Sequence, residues 1–186
     1  MKRLLDRLPG FIFLLIALSA LSALALIIVF IFYEGIPIIA KVGLGQFTLG
    51  MSWAPGKGEF GILPMIIGTV SVTLGAAVLG VPVAILTSIF LTEFAPAAVS
   101  RIVRPAIQLL AGIPSVVYGF WGLTFIVPYI RLWIGGPGLS VLAGSVILAI
   151  MILPTVISIT EVSLLALPRT YKEGSLAIGA TQWQTV

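Results

Sequence analysis

Histidine and cysteine are absent from the 186 residues, and only six carboxylates and ten basic side chains are present. Those absences remove thiol chemistry, disulfides and the commonest zinc ligands. No serine has an imidazole to activate it. The acids are scattered, so only a carboxylate pair assembled from distant segments would serve acid–base catalysis. Gly56-Lys57 invites comparison with a phosphate-cradling loop, but Gly58 follows it, where a hydroxyl residue would be needed to hold magnesium. No catalytic residue, metal site or cofactor is assigned. Any uphill work must draw its energy from another subunit or from an ion gradient.

What remains for function is a set of small and hydroxylated residues at helical spacing. In LAGIPSVVYGFWG, Leu110 to Gly122, the residues Gly112, Ser115, Gly119 and Gly122 step by three, four and three, which marks one narrow helical face with Tyr118 beside it. Pro114 removes a backbone donor there and predicts a kink. One reading is a small-residue seam that admits a neighbouring helix. The other is a wall of a solute path, with Ser115 and Tyr118 offering hydroxyls. Spacing alone favours the seam, and the two are compatible. A similar stripe, Thr69, Thr73, Ala76 and Gly80, precedes Pro82 and carries the same two readings. Neither stripe holds a charge, so a multivalent anion at mid-membrane would need donors from a partner, from further sequence or from helix ends.

The elements that position these residues follow from composition. Hydrophobic residues make up 60% of the chain and charged residues 9%, and mean hydropathy is +1.23. A soluble domain of this length needs more charge to cover its surface. Four apolar stretches are long enough to cross a bilayer: Phe11–Phe32, Ile62–Leu91, Ala106–Ile130 and Leu139–Ile159. The fold class is therefore an all-α membrane protein with four transmembrane helices. MKRLLDR resembles the basic start of a signal peptide, but the apolar run after it is too long for a cleavable one, so an uncleaved anchor is expected. Tyr33–Gly61 reads as an external loop, Arg131–Gly138 as a tight external turn, and Glu93–Pro105 as a short cytoplasmic link. Trp53, Phe60 and Trp133 fall where interfacial aromatics belong.

Orientation follows from the basic residues. Lys2, Arg3, Arg7, Arg101, Arg104, Arg169 and Lys172 share one side, while Lys41, Lys57 and Arg131 share the other. The richer side is cytoplasmic by the positive-inside rule, which places both ends of this sequence there. The net charge of +4 thus reflects topology, and nothing points to nucleic acid.

The last residues differ in kind. In PRTYKEGSLAIGATQWQTV, Pro168 stops the preceding helix, and Thr170 with Glu173 has the spacing of a capping box. Gly179 suits a left-handed helix end, and Thr181 with Gln184 repeats the box. Two short helices at a glycine corner are expected, either resting on lipid headgroups or meeting another surface.

This stretch resembles the cytoplasmic EAA loop of ABC importer permeases, with Glu173, Gly174, Ser175 and Gly179 in the first half of the motif. Here E-A-A is replaced by E-G-S, which keeps the residues small and bears on helix rigidity. Together with LAGIPSVVYGFWGL, the tail is similar to the phosphate ABC transporter permeases, closer to the PstC member of the pair than to PstA, from about Phe60 onward. Residues 1–59 are read as an N-terminal anchor helix and external loop, and the resemblance implies part of a MetI-like permease domain over 60–186, ending within the coupling loop. It implies a sister permease, an ATP-binding cassette ATPase, an extracytoplasmic phosphate-binding protein, phosphate as solute and a cell-membrane location. Glu173, Gly174, Ser175 and Gly179 would be the coupling contacts. Thr69, Thr73, Gly112, Pro114, Ser115, Tyr118 and Gly119 are the candidate path or seam. Family permeases continue past this loop, so the chain is expected to be C-terminally truncated and unable to transport alone. The competing readings are a four-span scaffold or regulator, a permease for molybdate or sulfate, and a fragment of an ion-coupled transporter. The last is weakened by the lack of an intramembrane carboxylate or histidine.

Overall fold

The computed structural model describes residues 8–186, with side chains from Pro9 onward. The basic opening MKRLLDR, with Lys2, Arg3 and Arg7, lies outside the described residues. Two compact units divide at Ile66/Ile67.

In the first unit, helix α1 runs from Leu8 to Val42, and its 35 residues extend about 52 Å at 1.5 Å per residue. A hydrocarbon core is about 30 Å thick, so the helix is longer than a crossing requires. This corrects the loop expected from Tyr33: the helix continues through Pro37 to Val42. A membrane helix tolerates the one backbone bond a proline removes. After Gly43, α2 covers Leu44–Leu49. A small hairpin then pairs β1 (Trp53–Ala54) with β2 (Glu59–Phe60) around a 3-10 turn at Pro55–Lys57. Trp53 and Phe60 meet edge to face, with ring centroids 5.8 Å apart.

Helix α3 (Leu63–Ile89), which lies in the second unit from Ile67 onward, closes with a wide π-turn at Phe90–Phe94. Next comes α4, Ala97–Ala111, where a plain link was expected up to Pro105. Pro96 occupies the N-cap position, where a missing amide costs no helical bond. Val103 and Ile107, four residues apart, pack into a core with Ala84, Leu91 and Ile157. That burial outweighs the bond lost at Pro105. Arg104 adds an ion pair to Glu161 at 3.1 Å.

The third span also differs from its expected bounds. Its first residues, Ala106–Ala111, belong to α4. The chain then breaks at Gly112–Pro114, and α5 (Ser115–Trp121), a π-turn (Gly122–Ile126) and α6 (Val127–Trp133) follow. A kink was expected from Pro114, and a full break results. The residue before proline is pushed out of helical geometry, and Pro114 itself is extended at ψ 139. The turn after Trp133 is tight as expected, with Arg131 donating to the Pro137 carbonyl at 3.1 Å.

Helix α7 covers Val141–Leu165 and is capped by the Ser140 hydroxyl, which accepts from the Ala143 amide. Four helical stretches among the described residues are long and apolar enough to cross a membrane: Pro9–Val42, Leu63–Phe94, Ser115–Trp133 and Val141–Leu165.

The seam that joins α3 to α7 is built from small residues. Ala76, Gly80, Ala84 and Ser88, each four residues apart, are the buried positions of α3. A Cβ on Gly75 would lie 2.3 Å from the Ser145 Oγ, and one on Gly80 would lie 3.1 Å from the Ala149 carbonyl oxygen. Close approach lets hydroxyls bond across: Ser145 donates to the Val72 carbonyl at 3.3 Å, and Ser88 to the Ile157 carbonyl at 3.1 Å. Small residues of this kind are how membrane helices gain packing without a hydrophobic driving force.

Candidate functional site

The chain's closing segment stands apart from the spans by its polarity. Helix α8 (Arg169–Ala177) starts after Pro168, and α9 (Gln182–Thr185) follows a corner at Gly179. The corner is the expected one. Gly179 sits at φ +88, where an L side chain is strained. Its amide bonds to the Leu176 carbonyl at 3.0 Å, and the Ala180 amide to the Ser175 carbonyl at 3.2 Å, closing the end of α8. The second capping box forms as its spacing predicts: the Gln184 amide donates to the Thr181 Oγ1, and the Thr181 amide to the Gln184 Oε1. The first does not. Pro168 takes the N-cap place without a side-chain bond, so Thr170 is already inside the helix.

The residues of this corner divide by face. Glu173, Gly174 and Gly179 are exposed, and none of the ion pairs among the described residues uses Glu173. Tyr171 and Ile178, 73% and 87% exposed, lie on either side of Gly174 at helical spacing. Together they make an outward face that is small in the middle and bulky at its ends. Ser175 instead turns inward, its hydroxyl 3.0 Å from that of Thr185, tying α8 to α9.

Two residues at the foot of α3 hold the pair of helices, and neither stands out in the sequence as a contact. Lys172 pairs with Glu93, both partly buried. Trp183 stacks on Phe94, with centroids 5.0 Å apart and planes 28° apart. The π-turn presents Glu93 and Phe94 side by side. A cleft of about 100 Å³ beside the ion pair is lined by Leu176, Gln182, Thr185 and Val186. The only local signal is a carboxylate and an aromatic at the end of an apolar helix. Their partners lie 79 and 89 residues on, and spacing carries no trace of them.

The candidate path residues are not one continuous wall. Gly112 lies in the break itself, Gly119 has open space around it, and Gly122 is buried, where a Cβ would meet the Ile147 side chain. Within this chain, the stripe packs against a neighbouring helix at Gly122. Tyr118 donates its hydroxyl to the Leu110 carbonyl at 2.9 Å, an oxygen near the break opened before Pro114. The proline and the tyrosine are thus parts of one local solution: one opens the helix, the other covers an oxygen beside the opening. Ser115 is exposed at the start of α5. On α3, Thr69 and Thr73 are exposed, whereas Ala76 and Gly80 are buried in the seam with α7. A cleft of about 330 Å³ runs beside the break, lined by Leu110, Ile113, Val117, Tyr118, Trp121 and Ile150.

An apolar chain with four membrane-length helices, followed by a polar helix pair, defines the class: a multi-pass membrane protein. Residues 80–186 match the family of binding-protein-dependent transport system inner membrane components. The chain belongs to that family, and its match includes the break, the last span and the whole corner. It is 41% identical over 175 residues to the probable ABC transporter permease protein YqgH of Bacillus subtilis, covering 91% of this chain and 57% of that protein. It is 35% identical over 193 residues to the phosphate transport system permease protein PstC of Mesorhizobium japonicum, covering 89% and 59%. It is 33% identical over 178 residues to the probable phosphate transport system permease protein PstA of Methanocaldococcus jannaschii, covering 95% and 59%. The chain thus spans less than two thirds of the length of these relatives. No solved structure matches it.

Proposed function

We propose that the chain is the membrane-spanning permease subunit of an ATP-driven importer for inorganic phosphate, oriented with its N-terminus in the cytoplasm. The observation that carries this reading is the family match over residues 80–186, which takes in the exposed α8–Gly179–α9 corner. The names of the PstC and PstA relatives support phosphate as the solute. The partners are a sister permease, an ATP-binding cassette ATPase and an extracytoplasmic phosphate-binding protein.

In this reading Glu173, Gly174 and Gly179 belong to the coupling corner, its outward face meets the ATPase, and Ser175 sets its geometry. Thr69, Thr73, Gly112, Pro114, Ser115, Tyr118 and Gly119 flank the translocation path. ATP binding favours one arrangement of the spans and hydrolysis the other, because the ATPase has different affinity for the two. Tyr118 already spends its donor on Leu110, so the anion's counter-charges come from outside these stripes.

The test is reconstitution of the full-length permease with its sister, ATPase and binding protein in liposomes, followed by ATP-dependent uptake of labelled phosphate. Unlabelled phosphate is expected to compete, with molybdate and sulfate failing to do so. Stronger competition by either of those would replace the substrate, and uptake that ignores ATP would sink the importer reading.

A further inference from the structure

The link from α8 back to α7 is mechanically poor. Helix α7 ends at Leu165, Pro168 bars helical continuation, and Ala166–Pro168 forms a non-helical hinge. A force applied at the corner and delivered only through that hinge would be lost in bending. The structure supplies a second attachment. Lys172 of α8 grips Glu93, and Trp183 of α9 lies on Phe94. The two contacts fall on either side of Gly179 and converge on adjacent residues of one π-turn. One contact would act as a pivot; two resist rotation as well as separation. Inside the corner, the Ser175–Thr185 hydroxyl bond and the Thr181 capping box keep α8 and α9 in one geometry. Beyond the foot, α3 is joined to α7 by the Gly75, Gly80 and Ser88 seam.

We infer that Glu93–Lys172 and Phe94–Trp183 form a brace through which displacement of the corner reaches α3 directly, so that α3 and α7 are driven together as a packed pair. The inference rests on the corner's proposed role as the ATPase dock. Glu93, Phe94, Lys172 and Trp183 are positioning residues: they touch neither solute nor nucleotide. The outward face of Tyr171, Glu173, Gly174 and Ile178 is left free for the partner.

The experiment uses the full-length permease in a cysteine-free background, assembled with its sister, ATPase and binding protein. The double substitution Phe94→Cys with Trp183→Cys removes the stack, and a short bifunctional thiol reagent then restores the attachment covalently. Phosphate uptake per ATP hydrolysed is expected to fall about fivefold in the double variant and to recover on cross-linking, as expected when packed contacts rather than chemistry are lost. Glu93→Lys or Lys172→Glu, each of which sets like charges together, is expected to lower the same ratio about tenfold, and the combined swap to restore most of it. Cross-linking that stops uptake, or single reversals that leave the ratio unchanged, would overturn the brace. Failure of the unaltered permease to capture the ATPase would overturn the docking role and the transmission together. Failure of the 94–183 cross-link with capture intact overturns the brace alone.

Discussion

Gly179 and Gly174 stand five residues apart in the same small segment and are expected to respond oppositely to alanine. At φ +88, Gly179→Ala places a side chain in the left-handed region, at a cost of about 1–2 kcal/mol. Gly174 lies inside α8, and a Cβ added there would have nothing within 4 Å, so Gly174→Ala is expected to stabilise the helix by about 0.5–1 kcal/mol. Hydrogen exchange of the α8 amides should slow in the second variant and quicken in the first; the same direction in both would contradict this geometry. The residue-scale signals legible in the sequence are the local ones. Gly179 and the Thr181–Gln184 box need only their neighbours. The similarly spaced Thr170–Glu173 pair failed because Pro168 claims the N-cap position, which shifts Thr170 into the helix. Glu93 and Phe94 could not be read at all, since their meaning lies in partners from the far end of the chain.

At the scale of elements, hydropathy located the spans but not how they end or pair. The second and fourth spans sit close to their expected bounds, because apolar content alone decides them. The first outran its bounds because Pro37 did not stop it, and the third was divided because Ile113-Pro114 did. One proline lies within a continuous apolar helix; the other follows Gly112, where the chain can leave the helix at little cost. The seam between α3 and α7 was half visible, as Ala76 and Gly80 fall on a readable stripe but Gly75 and Ser145 do not. Gly75→Val is expected to force the helices apart and lower the thermal stability of the detergent-solubilised protein by about 1–3 kcal/mol, the usual penalty of overpacking. Gly68→Val, on the same helix with open space around it, serves as the control and should change little. Equal effects of the two would mean that the seam does not hold α3 to α7.

For the whole molecule, composition alone identified a membrane protein, and the PstC-like stretches pointed to the family that the match over residues 80–186 then established. What the sequence could not supply was the corner's internal footing, the Glu93–Lys172 and Phe94–Trp183 contacts. We propose that an ATPase takes hold of the permease at this corner, from the cytoplasmic side. Inside-out membrane vesicles carrying the full-length permease and its sister test it directly, through capture of the purified cassette ATPase by unaltered, Glu173→Lys and Gly179→Trp permeases at equal membrane levels. Capture by the unaltered form and loss of capture, with loss of ATP-driven phosphate uptake, in both variants is the expected result. Undiminished capture and uptake in the two variants would contradict it.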